Sequence, residues 1–171
     1  MKNLAIVLCL LLCTQLHSQS KADRKAEKTG KANLEYAGTK TLIASGSFLF
    51  VADRAIPMGG GRISMVTNFN EIRFEDGNAA IILPYYGTVW GGGGYSHQPV
   101  IKFEGAVANY TADFEDKKRR VQIKFDLKDG SEIHNVEMTI RRRGYTSVYL
   151  KSTGRSSITY DGYIRPLPKA F

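Results

Sequence analysis

Aromatic side chains are concentrated in the stretch LPYYGTVWGGGGYS, which runs from Leu83 to Ser96. It carries Tyr85, Tyr86, Tyr95 and the chain's one tryptophan, Trp90, beside four consecutive glycines. Tyrosine and tryptophan combine a flat apolar face with a polar tip, so they suit sugar rings and mixed apolar ligands. Aromatic residues are equally common in strands, where they pack on a pleated surface. These rings are therefore candidates for a ligand cavity or, alternatively, for capping the core.

Positively charged residues form a second candidate site, here called the basic rim. Its members flank two alternating segments, 121–128 and 133–140, that are joined by an Asp129-Gly130 turn. Such a turn predicts a hairpin, which would bring the outer ends of both segments together. The basic rim consists of Lys117, Lys118, Arg119, Arg120, Arg141, Arg142 and Arg143. It suits anionic lipid head groups or acidic glycans, although charged turns also simply discourage edge pairing.

Residues suited to catalysis or metal binding are sparse. Beyond residue 20 the chain has two histidines, His97 and His134, and it contains neither HExxH nor GxSxG. Zinc requires three or four ligands, and a serine nucleophile requires a histidine base. The glycine runs 59–61 and 91–94 do not fit the phosphate-binding pattern GxxxxGKS/T. We therefore predict no catalytic residue, no metal site and no cofactor.

Carboxylates offer the remaining route to an enzyme, because glycoside hydrolysis uses a converging pair. The candidates are Asp53, Glu71, Glu75, Asp113 and Asp161. A β-rich chain of this size normally carries as many, so a carboxylate-based hydrolase is the least favoured function.

The first twenty residues have the composition of a secretory signal peptide. Lys2 precedes an apolar run over 4–13, and Ser18-Gln19-Ser20 fits a cleavage site near Ser20. The run is too short to span a bilayer, and the leucine before each of Cys9 and Cys13 does not fit a lipoprotein signal. We therefore predict export to the periplasm or beyond the cell. The mature chain would then have no cysteine and no transmembrane segment.

The charge of the chain is clearly basic. Its 171 residues carry a formal net charge of +8, or +7 once Lys2 is removed. Nucleic acid is the usual partner of a basic chain, but an exported protein rarely meets it. We expect no nucleic-acid partner and favour a small ligand, anionic lipid or glycan.

Hydrophobic periodicity predicts an all-β domain over residues 41–171. Residues 21–40 form a charged, alanine-rich leader, flexible or helical, and a short helix near 33–45 would end before Gly46. About eight segments then alternate with period two, which predicts an antiparallel meander closing into a lipocalin-like barrel. A two-sheet sandwich is the alternative. Ile133 is out of phase with Val136, which predicts a bulge near His134 and Asn135.

Three stretches together resemble an uncharacterised family of exported domain-of-unknown-function proteins of the Bacteroidetes. They are FVADRAIP over 50–57, LPYYG over 83–87 with the glycine run 91–94, and SSITYDGYI over 156–164. The resemblance covers about residues 40–165 and implies an exported, β-rich single domain, with no activity or cofactor to carry over. It adds Asp53 and Arg54 as candidates, either as ligand contacts or as a structural salt link.

The sequence thus favours an exported, non-enzymatic envelope protein that binds a small apolar or glycan-like ligand in a barrel. The alternative is an interaction module that docks on an anionic membrane surface or an envelope partner through the basic rim. An interior filled with side chains would favour the alternative, and an open mouth near Tyr85, Tyr86 and Trp90 would favour the first function.

Overall fold

The structure, a computed structural model, describes residues 2–65, 70–90 and 100–168, and of residues 2–20 it describes the backbone alone. The described elements are α1 (Lys2–Ala44), β1 (Ser47–Pro57), β2 (Ile63–Ser64), β3 (Glu71–Glu75), β4 (Asn78–Pro84), β5 (Val100–Ala106), β6 (Ala108–Glu115), β7 (Arg120–Asp129), β8 (Glu132–Ile140), β9 (Tyr145–Ser152) and β10 (Arg155–Arg165). Short 3₁₀ turns at Asp116–Lys118 and Arg142–Gly144 precede β7 and β9.

The N-terminal helix is longer than the sequence predicted. It begins at Lys2 rather than near residue 33, because alanine, lysine and glutamate in residues 21–40 are strong helix formers. It ends as expected, since Gly46 has a φ of 69° and its N–H donates to the Ile43 carbonyl at 3.1 Å. The chain divides into two compact units, Met1–Glu35 and Tyr36–Phe171, and all strands belong to the second. Among the described residues, no helix has the length and apolar character needed to cross a membrane.

The strands form one antiparallel sheet of ten, in the order β5-β4-β3-β1-β10-β9-β8-β7-β6, with β2 paired to β1 beyond β3. The two end strands, β5 and β6, follow each other in the chain with only Val107 between them. One continuous segment therefore pairs with β4 in its first half and with β7 in its second half, which nearly closes the sheet. The predicted all-β barrel with one N-terminal helix is confirmed, with ten strands instead of about eight.

Large apolar side chains fill the inside of the sheet. The largest of these with less than 2% exposure are Tyr160, Phe48, Phe50, Phe125, Ile72, Ile81, Leu83, Ile101, Ile123, Leu127 and Met138. Phe74 stacks on Phe48 at 5.1 Å and on Tyr110 at 5.0 Å between ring centroids, and it also contacts Phe125 at 5.9 Å. These rings come from β3, β1, β6 and β7, so they join the β3–β1 part of the sheet to its β7–β6 end.

The predicted hairpin at Asp129-Gly130 is present, and a second Asp-Gly turn, at Asp76-Gly77, joins β3 to β4. The two turns differ. Asp76 and Gly77 both have positive φ between the paired residues Glu75 and Asn78, as a type I′ turn requires. In the β7–β8 hairpin Asp129 is itself paired, and the positive φ falls on Gly130 at the first loop position. That arrangement fits a type II′ turn.

The predicted bulge near His134 and Asn135 is wrong. β8 pairs with β7 without interruption from Glu132 to Ile140, and His134 lies in phase with the buried Val136. Ile133 instead faces outward with 41% of its surface exposed. The prediction failed because it assumed that Ile133 is buried and His134 exposed, whereas in the structure Ile133 is exposed and His134 is buried.

A bulge does occur in β1 where it pairs with β10. The β1–β10 register shifts between Ala52 and Arg54, so Asp53 is the extra residue. Gly162 lies opposite Ala52, and a Cβ at Gly162 would overlap the Val51 carbonyl oxygen and the Ala52 Cα. Only glycine fits this close crossing of two backbones.

The last turns of α1 are fixed to the β6–β7 connection through Asp116. Its Oδ1 accepts hydrogen bonds from the Tyr36 hydroxyl and the Lys40 Nζ, each at 2.9 Å. The hydrogen bond from Lys40, which has the largest effect, and the one from Tyr36 hold the pKa of Asp116 below its ordinary value of 3.8. Burial and the bond to Asp116 raise the pKa of Tyr36 to about 12.

We expect Gly162→Ala to lower the free energy of unfolding by about 3 kcal/mol, because a buried backbone must move to accept the methyl group. Urea unfolding monitored by circular dichroism measures the change. Gly38→Ala is the matched control, since no atom of the described residues lies within 4 Å of a Cβ there. It should leave stability unchanged or raise it by up to about 1 kcal/mol. Equal effects of the two substitutions would contradict the steric explanation.

We expect Asp116→Asn to destabilise the protein most at neutral pH. The folded pKa of Asp116 is depressed, so its contribution is present above the ordinary value of 3.8 and is lost as pH falls through the folded value. Urea unfolding of wild type and variant at several pH values between about 2 and 7 measures the difference. The exposed Asp113→Asn is the control and should change stability by less than about 0.5 kcal/mol. If wild type and Asp116→Asn differed in unfolding free energy by the same amount at every pH, the ionised carboxylate would not be the source of the stabilisation.

Candidate functional site

Five residues of the basic rim, which was predicted from the pairing of two strands in a hairpin, lie around one cavity in the structure. Val121 pairs with Ile140, so Arg120 at the start of β7 and Arg141 at the end of β8 are neighbours across the hairpin. A cavity of about 430 Å³ lies between the two ends of the hairpin. Its lining consists of Lys118, Arg119, Arg120, Arg141, Arg142 and Tyr145. Lys117 is exposed beside it, and Arg143 lies in the 3₁₀ turn that leads to Tyr145.

Glu115 orients two of the cavity's cations. Arg120 binds it through Nε at 2.8 Å and also through Nη2, and Lys118 binds it at 2.8 Å. The hydrogen bond from Lys118, followed by that from Arg120, lowers the pKa of Glu115. The cation heads are therefore positioned by a carboxylate that is not itself part of the described lining.

Two arginines at the ends of the hairpin have left-handed backbone conformations. Arg119 has a φ of 48° at the end of the first 3₁₀ turn, and Arg143 has a φ of 58° inside the second. Glycine or asparagine normally occupies such positions, because a Cβ costs energy there. The chain thus accepts local strain at both turns that border the cavity.

Tyr145 is the one uncharged side chain in the described lining. Burial, together with a hydrogen bond to the buried Asp161, raises the pKa of its hydroxyl. Its ring meets that of Tyr163 edge to face, with 5.6 Å between centroids. The hydroxyl and the ring of Tyr145 are therefore engaged by residues of β10. Sequence reasoning missed this residue, since its distance from the basic rim depends on the turn at 142–144.

The aromatic candidates separate into different environments. Tyr85 is buried and Tyr86 is partly exposed, whereas Trp90 has 56% of its surface exposed and does not cap the core. Tyr95, the glycine run 91–94 and His97 lie outside the described residues. The ligand-binding role of these aromatics stays a prediction.

The Tyr85 hydroxyl is part of a buried polar cluster. It lies 2.8 Å from both the carbonyl oxygen and Oγ of Ser156 and 2.9 Å from the Thr88 carbonyl oxygen. The Thr88 N–H donates to the same Ser156 Oγ at 3.0 Å. A Cβ at Gly87 would overlap the Tyr85 ring and Ser156 Oγ. The motif LPYYG therefore has a packing role, which joins the end of β4 to the start of β10.

An ion pair covers this cluster. Arg155 binds Glu132 with an Nε–Oε1 distance of 3.0 Å, and its guanidinium lies 5.4 Å from the Tyr85 ring centroid. Nothing in the sequence pattern singled out Arg155, Glu132 or Ser156, because their proximity depends on the pairing of β8, β9 and β10.

Asp53 and Arg54 belong to the β1 bulge described above. The Asp53 side chain is exposed, and its carbonyl accepts the Met65 N–H at 2.8 Å. Arg54 lies opposite Asp161 in the β1–β10 register. Their part in ligand binding stays a prediction.

His134 is a buried core residue. Its Nδ1 lies 2.6 Å from Ser152 Oγ, and burial is the main cause that lowers its pKa. Among the other catalytic candidates, Asp161 is buried while Asp53, Glu75 and Asp113 are exposed. The described residues contain no group of three or more histidine, cysteine, aspartate or glutamate side chains suited to a metal ion.

We expect Tyr85→Phe to cost about 1–3 kcal/mol of unfolding free energy, because Ser156 Oγ and a backbone carbonyl lose a buried hydrogen-bond partner. The neighbouring, exposed Tyr86→Phe is the control and should change stability by less than about 0.5 kcal/mol. Chemical denaturation of both variants measures the difference. A neutral Tyr85→Phe would show that the hydroxyl has no structural role.

Comparison with known proteins identifies a family. The family model described as "Domain of unknown function (DUF4251)" matches residues 30–164. A crystal structure of a DUF4251 family protein from Bacteroides eggerthii DSM 20697 has a similar fold, with a TM-score of 0.62 at 14% identity over 79% of this chain and 89% of that one. No curated protein matches the chain. With the family model covering most of its length, the chain belongs to the DUF4251 family.

Proposed function

We propose that the protein is an exported, non-enzymatic module that docks on anionic lipid head groups through the basic rim. The observation that carries this proposal is the convergence of five cations around one cavity at the end of the β7–β8 hairpin. Four of the five are arginines, whose planar guanidinium groups bind phosphate oxygens in pairs.

Charge distinguishes this cavity from another one on the outside of the sheet. That cavity, of about 340 Å³ on β3, β4 and β5, is lined by Arg73, Glu75 and Glu104 among others, so it carries both signs. The described lining of the rim cavity contains cations and one aromatic ring only. Glu115 pairs with Lys118 and Arg120 beside this cavity, and the five cations of the lining outnumber it. An excess of positive charge in one place attracts an anionic surface and orients the protein on it.

Binding of a small ligand inside the barrel has less support. The inward positions of the described strands hold large side chains with almost no exposure, such as Phe50, Phe125 and Tyr160. Tyr85, the candidate for a cavity mouth, has its hydroxyl bound to Ser156 and Thr88. These observations support docking from outside over binding in the interior.

Export is supported by the sequence of the first twenty residues, with Lys2, the apolar run and the small polar exit at Ser18–Ser20. A membrane-facing protein of the periplasm or the cell exterior meets anionic head groups directly. An exported protein with a basic surface is therefore suited to docking on the membranes that it meets.

The test uses protein expressed as the full chain in its own host and purified in the form the host exports. Sedimentation with phosphatidylcholine vesicles, with and without phosphatidylglycerol, measures binding at low and high salt. We expect binding only to the anionic vesicles and a steep loss as salt rises, because the Debye length falls from about 10 Å at 0.1 M to about 3 Å at 1 M. Equal binding to both vesicles would contradict the proposal.

A pair of charge-matched variants locates the binding surface. The double variant Arg141→Gln with Arg142→Gln should weaken binding roughly thirtyfold, since each cation near the surface contributes about 1 kcal/mol. Lys128→Gln with Lys151→Gln removes the same charge from exposed positions away from the rim cavity and should have little effect. Equal losses in both would show that net charge alone acts.

A further inference from the structure

We infer that the rim cavity is a receptor for a terminal phosphate monoester on a lipid head group. This inference rests on the proposed function and deepens it, because it replaces a general attraction to anionic lipid with one chemical group in one cavity. Concavity is the first argument. The depression has a volume of about 430 Å³ and is widely open to solvent, so a phosphate that projects from the head-group layer can enter it.

The number and type of donors are the second argument. An arginine presents its N–H donors in a planar fork that matches phosphate oxygens, and the cavity is lined by Arg119, Arg120, Arg141 and Arg142 in addition to Lys118. A phosphate monoester presents three terminal oxygens and up to two charges, but a diester presents two oxygens and one charge. Since Glu115 engages only Nε and Nη2 of Arg120, that side chain keeps donors for a ligand.

The backbone at Arg119 is the third argument. Its left-handed conformation would be relaxed by glycine, yet an arginine stands there and lines the cavity. Strain of this kind is typical of positions where the side chain serves a binding site. Tyr145 is the remaining residue of the lining, beside the 3₁₀ turn that carries Arg142 and Arg143.

The experiment compares two anionic lipids at equal surface charge. Phosphatidic acid supplies a phosphate monoester and phosphatidylglycerol a diester, each mixed into phosphatidylcholine until the vesicles have the same zeta potential. We expect the exported protein to bind the phosphatidic acid vesicles at least tenfold more tightly. Equal affinity for both lipids would overturn this inference and leave the proposed function intact, while binding to neither would overturn the proposed function.

Arg119→Gly tests the cavity without adding strain. We expect it to abolish the preference for phosphatidic acid while the unfolding temperature stays equal or rises. Asn109→Gly is the backbone control, because Asn109 also has a positive φ, of 53°, and Lys128→Gln is the charge control. Both should keep the preference. A preference that survives Arg119→Gly would contradict the assignment of the cavity.

Inorganic phosphate distinguishes the lipid from a free ion. Its effect on the unfolding temperature is measured against chloride at equal ionic strength. We expect a small rise that Arg119→Gly removes, and a much tighter interaction with the vesicles. A strong stabilisation by phosphate together with no vesicle binding would identify a free phosphate compound as the ligand and overturn docking.

Discussion

The ring of Phe74 contacts aromatic side chains from two separate parts of the sheet. Phe48 belongs to β1, next to β3, whereas Tyr110 and Phe125 belong to β6 and β7 at one end of the sheet order. The sheet is nearly closed because one segment runs from β5 into β6, and at this corner the backbone changes partners between β4 and β7. The stacked rings add a side-chain contact between β3 and the β6–β7 pair, across the interior that the sheet surrounds. A nearly closed sheet leaves little strand edge open to pairing with other chains.

The stretches by which the chain resembles its family are largely packing constraints. Gly162 permits the close crossing of β10 over the β1 bulge, and Gly87 leaves room for the Tyr85 ring and Ser156. The charged cavity lies elsewhere, at the turns before β7 and β9. The tyrosines and glycines of these stretches therefore have packing roles, and the candidate binding surface lies at the basic rim, which the Asp129-Gly130 hairpin predicted.

The sequence predicted those parts of the fold that depend on local pattern. Alternation defined β7, and the Asp129-Gly130 turn was enough to bring Arg120 and Arg141 together. The prediction failed where tertiary contacts override hydropathy, as at Ile133 and His134 in β8. It also missed Tyr145 in the cavity wall, because no periodicity encodes the turn that brings this residue there. A site built from one hairpin is predictable, whereas a cluster such as Tyr85 with Ser156 requires knowledge of which distant strands pair.

The pairing of β1 with β10 has a consequence for the way the chain acquires its structure. Leu49 faces Arg165, so the strand in the middle of the sheet order receives one of its partners from the end of the domain. The chain between β1 and β10 forms a long loop, and closing a long loop is entropically costly. Folds in which many paired residues are far apart in sequence form slowly. A nascent chain that has not yet released β10 therefore lacks the partner that pairs with β1 from Leu49 to Pro57. The hydrogen bonding of β1 is completed only after the last strand of the domain has been synthesised.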